Sequence, residues 1–307
     1  MNEHWRVESE AGVFALRRYN ARRSSAAIEA EHELLLHGQR KGWPVAVPVV
    51  RDDDGSTLVS DGRTYALFPF LAGRPPPYGN ARWLRIKGRL LARLHRDLED
   101  APLGSQRDGF GRAWELDLFV QAAGHESFNR LLAAFGREYP ELARGVRAER
   151  YRNLRELAKL GYGELRVQPV HCDFHHDNVL VSRGEVTGLL DFDSARLDAR
   201  VADLACSISL DGLEPPDHDA INPGSLAAFV GGYAEALPLS AEDERLVVPL
   251  IRAQFLLLVT IRLMQRAEDR AADRPVASIE RSVHGRFPAL AARTPDLEAA
   301  VMTGRRG

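Results

Sequence analysis

Hydrophobic and polar positions alternate in short runs over the first seventy residues, then recur at helical spacing through most of the remaining chain. "HWRVES" and "VFALRRY" alternate on either side of Ala11-Gly12 and predict a hairpin. Ser24 or Ser25 can cap the helix "AAIEAEHELLLHGQRKG", which Gly42 closes. "VAVPVV", "TLVS" and "RTYALFPF", separated by "RDDDGS" and "DG", predict further strands. "LAGRPPPYGN" breaks regular structure and marks a boundary between lobes. Beyond it, "ARWLRIKGRLLARLHRDLED" carries Leu84, Leu91, Leu94 and Leu98 on one helical face. Helices are expected near 114–136, 141–160, 200–209, 225–236, 242–270 and 276–292. One β-like interruption falls among them: residues 179–181 and 186–190 read as a hairpin turning at Arg183-Gly184.

The pattern predicts an α+β, bilobal chain, with a small β-rich lobe over residues 1–73 and a larger, mainly helical lobe over 74–307. A cleft between two such lobes is a common place for a ligand. With 307 residues, 45% of them hydrophobic, the chain can bury more than one core of ordinary size. Its formal charge of -2 supplies no global field for nucleic acid or an anionic membrane. Two distant cysteines, Cys172 and Cys206, exclude a disulfide framework and fit a reducing, cytoplasmic setting. The apolar stretch 247–264 contains Pro249, Arg252, Gln254 and Arg262, so it reads as a buried helix rather than a membrane span.

The chemistry concentrates in "HCDFHHDN", residues 171–178. A hairpin over 179–190 returns the chain to its starting end and brings Asn178 beside Asp191. An amide oxygen next to a carboxylate is a hard-oxygen pair suited to Mg²⁺. Asp173, in the same loop, is placed to take a proton from a hydroxyl. Phosphoryl transfer needs positioning and charge neutralisation above all, and these are parts it uses. Zinc is the competing reading of His171, His175 and His176. Adjacent histidines such as His175 and His176 diverge on regular backbone, however, and no C-x-x-C spacing supports a tetrahedral site. His171 is expected to support the loop and Cys172 to pack inward; for His175 and His176, contact with substrate or phosphate is the lesser reading. Asp193 reads equally as a second metal ligand or a satisfied loop carboxylate. Asp177 reads as a surface or capping acceptor and His95 as a packed histidine. The acidic stretch 211–219 reads as a solvated loop, or as carboxylates facing a substrate amine.

His171-x-Asp173-x₄-Asn178 followed by Asp191 matches the catalytic-loop and metal-aspartate spacing of the protein-kinase-like fold. "VHCDFHHDNVLV … GLLDFDSARLDARVADLA" resembles the aminoglycoside phosphotransferase and type II homoserine kinase-like family. "FALRRY", "EAEHELL", "TYALFPFLAGRP" and "LLARLHRDL" follow in that family's order, so the resemblance covers most of the chain. It implies a Mg²⁺-dependent kinase that moves the γ-phosphate of ATP to a hydroxyl of a small aminoglycoside-, homoserine- or choline-like molecule. By the same resemblance, Asp173 is the catalytic base, and Asn178 and Asp191 hold the metal. Glu31, rather than Glu29, faces the phosphate-binding residue, and the Phe68-Pro69-Phe70 backbone grips adenine. Asp203 anchors the catalytic loop.

The chain departs from the family pattern twice. Arg17, in Phe14-Ala15-Leu16-Arg17, stands where a lysine is usual; it keeps the charge but approaches phosphates through a planar fork. The family's first strand and Gly-rich phosphate-covering loop have only residues 1–4 to occupy. The expectation is that the natural start lies further upstream. Asp191 and Asp203 are too close for a phosphorylatable activation segment, which favours a small-molecule acceptor. A stress-response-type Ser/Thr kinase and a nucleotide-binding pseudokinase are the alternatives; oligomeric state is open.

Overall fold

The computed structural model describes residues 2–103, 111–214 and 219–306. Strands β1 (Glu3–Ser9) and β2 (Gly12–Arg18) form the expected hairpin, with His4 opposite Arg17. Helix α1 (Ser25–Arg40) follows; the Ser24 side chain accepts from the Ala27 amide and caps it. β3 (Leu58–Ser60) and β4 (Arg63–Pro69) complete a four-stranded sheet in the order β1-β2-β4-β3. "VAVPVV" does not join as a strand. Both neighbours of β4 are already in place, and the segment touches the sheet through the Val49 amide donating to Leu67 O at 2.7 Å.

The helical part begins with α2 (Ala81–Asp97), capped by Asn80. The helix expected over 114–136 divides into α3 (Leu116–Ala122) and α4 (Phe128–Phe135). Gly124, at φ 83°, ends the first, and Ser127 caps the second. α5 (Pro140–Lys159) leads into β5 (Gln168–Val170), and the polar loop opens on the hairpin β6 (Val179–Ser182) and β7 (Glu185–Leu189). Its turn is Arg183-Gly184, with φ of 52° and 86°, the left-handed pair that a two-residue hairpin requires. β8 (Arg196–Asp198) pairs antiparallel with β5, a small sheet that the periodicity did not reveal. α6 (Arg200–Asp211), α7 (Pro223–Ala236), α8 (Ala241–Glu268) and α9 (Asp273–Arg281) follow. The last expected helix runs on through a π-turn at 282–286 into α10 (Phe287–Arg306), with Pro295 inside it. α8 has the length and hydropathy of a membrane span, but 78% of its apolar window is buried inside the protein.

The hairpin β6–β7 is fastened to the β-rich part at two places. Arg74 and Val181 exchange backbone bonds of 3.1 and 2.8 Å, and the Thr187 hydroxyl donates to Ala72 O at 2.8 Å. Nearer the sheet, the Leu189 amide donates to Pro44 O at 2.9 Å. Gly73 permits this approach: a Cβ there would lie 2.6 Å from Thr187 Oγ1.

Candidate active site

A cleft of about 390 Å³ lies between the sheet and the hairpin, in the size range of small-molecule sites. Ala15, Arg17, Glu31, Phe68, Phe70, Asn178 and Asp191 all line it. Strand alternation turns Ala15 and Arg17 to the same face. Arg17 donates to Glu31 Oε1 at 2.6 Å, the pairing expected for α1. Glu31 is buried, as are Ile28 and Leu35 on the same face of α1. Burial opposes the Arg17 charge, but Glu31, Asp191 and Asp193 help hold its guanidinium above the ordinary value. Its carbon also lies 5.1 Å from the Phe68 ring centroid, a cation–π contact. The sequence did not single out His4, whose Nε2 accepts from Arg17 Nε at 2.9 Å. Its place opposite Arg17 follows from the β1–β2 register alone.

Phe68 and Phe70 differ in role. Phe68 is buried in β4 opposite Ala15, whereas Phe70 is half exposed and its amide donates to Val13 O at 3.1 Å.

The loop after β5 is built around buried polar groups. The carboxylate of Asp203 accepts from the His171 amide at 2.7 Å, the Cys172 amide at 3.0 Å and His95 Nε2 at 3.0 Å. It anchors the loop as expected, and His95 has a specific partner rather than only packing. His171 Nδ1 accepts from the Asp173 amide at 3.2 Å, so the proton sits on Nε2, which donates to Leu190 O at 3.0 Å. Burial pulls the His171 pKa down, consistent with a neutral supporting ring. Cys172 packs inward, at φ 59°. His176 is clamped from below: its amide donates to Asp211 Oδ1 at 2.9 Å, and Asp211 is ion-paired with the buried Lys87.

Asp173 and Asn178 are in direct contact, with Asn178 Nδ2 donating to Asp173 Oδ2 at 3.0 Å and to Asp173 O at 2.8 Å. This fixes the amide, leaving Asn178 Oδ1 as a free acceptor. The Leu190 amide donates to Asn178 O at 2.9 Å, which closes the hairpin and sets Asp191 beside Asn178. Asp191 adopts φ 62°, a left-handed conformation that aspartate tolerates better than most residues. Burial, then the charge of Asp193, pushes its carboxyl up to about 7; Arg17 opposes this, while Asp173 and Glu31 add to it. A desolvated carboxylate among other carboxylates, next to an amide oxygen, is a donor set that a divalent cation would satisfy. Asp193 is held by Arg23 at 3.0 Å and Asn2 at 2.8 Å, so it serves as a braced loop carboxylate.

His175, His176 and Asp177 bring one ligand atom each within 4.8 Å of one another. Asp177 is exposed and His175 Nδ1 accepts from the Asp177 amide, so this is no closed tetrahedral cage. Of the stretch 211–219, residues 215–218 lie outside the described residues. Asp211 is buried against Lys87, and Glu214 pairs with Arg293 at 2.8 Å.

Fold and cleft together define a protein-kinase-like phosphotransferase. Residues 2–239 match the Phosphotransferase enzyme family. The chain is 30% identical over 266 residues to a homoserine kinase of Chelativorans sp. (strain BNC1), covering 85% of this chain and 76% of that protein. A homoserine kinase of Methylocella silvestris is 30% identical over 267 residues, covering 86% and 77%. Among solved structures, an amicoumacin kinase in complex with AMP-PNP, Ca²⁺ and Ami superimposes with a TM-score of 0.72 at 17% identity, over 96% of this chain and 86% of that one. A microcompartment-associated aminopropanol kinase gives 0.72 at 20% identity, over 97% and 91%. The chain belongs to the Phosphotransferase enzyme family, among kinases of small molecules.

Proposed function

We propose that this chain transfers the γ-phosphoryl group of ATP to the hydroxyl of a small amino alcohol of the homoserine kind, with Mg²⁺ as the metal. The observation that carries the reading is the contact between Asn178 and Asp173, closed by the hairpin onto Asp191 at the floor of one cleft. Asp173 takes the proton of the acceptor hydroxyl as its oxygen bonds to the γ-phosphorus, and the bond to the β–γ bridging oxygen breaks to release ADP. Asn178 holds one carboxylate oxygen of Asp173 and so leaves the other to face the acceptor. Asn178 Oδ1 and Asp191 would hold the magnesium, whose charge offsets that of the phosphates. Arg17, fixed between Glu31 and His4, presents its guanidinium to the nucleotide. Phe68 and Phe70 form the apolar wall against which adenine lies, a side-chain role in place of the expected backbone grip, because the Phe70 amide is already bonded to Val13 O.

ADP release from ATP and Mg²⁺, measured over a panel of hydroxyl acceptors that includes L-homoserine, choline and an aminoglycoside, tests this. Turnover on one of them that is lost in Asp173→Asn supports the proposal. Nucleotide binding without turnover on any acceptor would leave the pseudokinase reading instead.

A further inference from the structure

The turn that carries Asn178 is gripped from outside the cleft by a buried ion pair. His176, Asp177 and Asn178 form a single 3₁₀ turn. The Asp177 amide donates to His175 Nδ1 at 3.3 Å and the Asn178 amide to His175 O at 3.0 Å, both within the loop. The His176 amide instead leaves the loop and donates to Asp211 Oδ1 at 2.9 Å. Asp211 is the last residue of α6, the helix that also carries Asp203. The two carboxylates stand about 12 Å apart along the helix axis. Asp203 takes the His171 and Cys172 amides, so the catalytic loop is slung between two fixed points on one helix, with Asp173 between them. The bond from Asn178 Nδ2 to Asp173 Oδ2 passes the placement of the turn on to the proposed base.

Lys87, on α2, supplies the second contact of Asp211. Its Nζ is ion-paired with Asp211 Oδ2, and the two side chains are 1% and 2% exposed. Lys87 Nζ also lies 5.7 Å from the ring centroid of Phe174, itself a loop residue. Tyr78 closes the remaining side. Its ring meets the His176 ring edge-on at 4.9 Å, and its hydroxyl donates to Leu210 O at 3.0 Å, next to Asp211 in the chain. The hollow among Tyr78, Lys87, His176 and Asp211 measures about 10 Å³, room for one water at most and for no ligand. A buried pair of this kind adds little net stability over apolar side chains of the same volume. What it does supply is orientation: with Oδ2 fixed by Lys87, Oδ1 is aimed at the His176 amide.

We propose that Asp211, oriented by Lys87, is a positioning residue for phosphoryl transfer, setting the placement of Asp173 and Asn178 through the His176 amide and so the rate of the chemical step. The inference rests on the phosphotransferase reading of the cleft and deepens it by adding a part that touches neither substrate nor metal. A displacement of about 1 Å at the reacting groups can cost roughly 10²-fold in rate.

Two double variants separate positioning from stability. Lys87→Met with Asp211→Leu removes the acceptor of the His176 amide, whereas Lys87→Met with Asp211→Asn keeps an acceptor oxygen there; neither leaves an unpaired charge buried. They are assayed with ATP, Mg²⁺ and whichever acceptor of the panel turns over. The leucine pair is expected to lose roughly 10- to 100-fold in kcat with KM for ATP within about twofold of wild type, and the asparagine pair to stay within about threefold in both. Urea midpoints check that both are folded in the assay, and Asp211→Ala replaces Asp211→Leu if the leucine pair is not. Full kcat in the leucine pair, equal loss in both pairs, or a loss carried by KM alone overturns the proposal. Should no acceptor turn over in the wild type, the proposed reaction fails by itself, and amide hydrogen exchange over residues 173–178 decides the positioning. Exchange roughly tenfold faster in the leucine pair alone supports it; exchange that does not distinguish the two pairs overturns it.

Discussion

Replacing Asp203 tests whether one buried carboxylate sets the shape of the catalytic loop. Asp203 is fully enclosed and accepts from two backbone amides and the His95 ring. Burial raises its carboxyl, but the hydrogen bonds from the His95 ring and the His171 amide outweigh this and hold it below the ordinary 3.8. In Asp203→Ala two buried amides lose their acceptor, at about 1–3 kcal/mol each. The expected total is about 3–5 kcal/mol, a large part of the 5–15 kcal/mol typical of a folded domain. Asp203→Asn keeps one acceptor oxygen but loses the charge, and should fall between the two. The depressed pKa fixes the sign of the pH effect. The contribution is complete above the unfolded value of 3.8 and is lost as pH falls through the lower folded value, so wild-type and Asp203→Asn stabilities converge in acid. Urea unfolding midpoints at constant slope read this directly. A neutral-pH loss below about 1 kcal/mol in Asp203→Ala would refute the reasoning, because two enclosed donors cannot be abandoned so cheaply.

Asp173→Asn should reduce kcat by roughly 10²- to 10⁴-fold and leave nucleotide affinity, measured by calorimetry, nearly unchanged. Arg17→Ala should raise KM for ATP, Arg17→Lys should restore most of it, and Glu31→Gln should resemble the alanine variant; equal constants in all three would count against the phosphate role. Lys87→Met leaves Asp211 buried without its partner and should cost about 3–5 kcal/mol in chemical denaturation, much of which Lys87→Met with Asp211→Leu recovers. His32 is enclosed between the Tyr19 hydroxyl at 2.9 Å and Ser56 at 2.7 Å, and burial, then the Arg17 charge, pulls its pKa from the ordinary 6.5 down to about 4. Between those values the unfolded chain binds the extra proton, so stability drops as pH falls from 6.5 to 4, by roughly 3 kcal/mol in all. His32→Gln should flatten that part of the stability–pH curve, and an unchanged slope would exclude His32 as its source.

The cleft was legible in the sequence because its parts are local. Asn178, Asp191 and the turn at Arg183-Gly184 lie within one hairpin, and its two positive φ angles sit where a glycine signals them. What stayed hidden depends on register or on distant pairing. His4 meets Arg17 only once β1 and β2 are aligned, and Lys87 finds Asp211 from a helix far away in sequence. β5 and β8 are three residues each, too short for periodicity to register. Gly124 carried a usable signal for the break between α3 and α4, whereas Pro295 argued for a helix end that α10 does not have.

The fastening of β6–β7 to Pro44, Ala72 and Arg74 constrains how the molecule can breathe. The strands that lie between Asn178 and Asp191 are tethered to the sheet half, so a pivot at residues 72–74 would strain the Arg74–Val181 and Thr187–Ala72 bonds together. The separation of Asn178 from Asp191 is thereby set by bonds that reach into the sheet half, and by more than the hairpin alone.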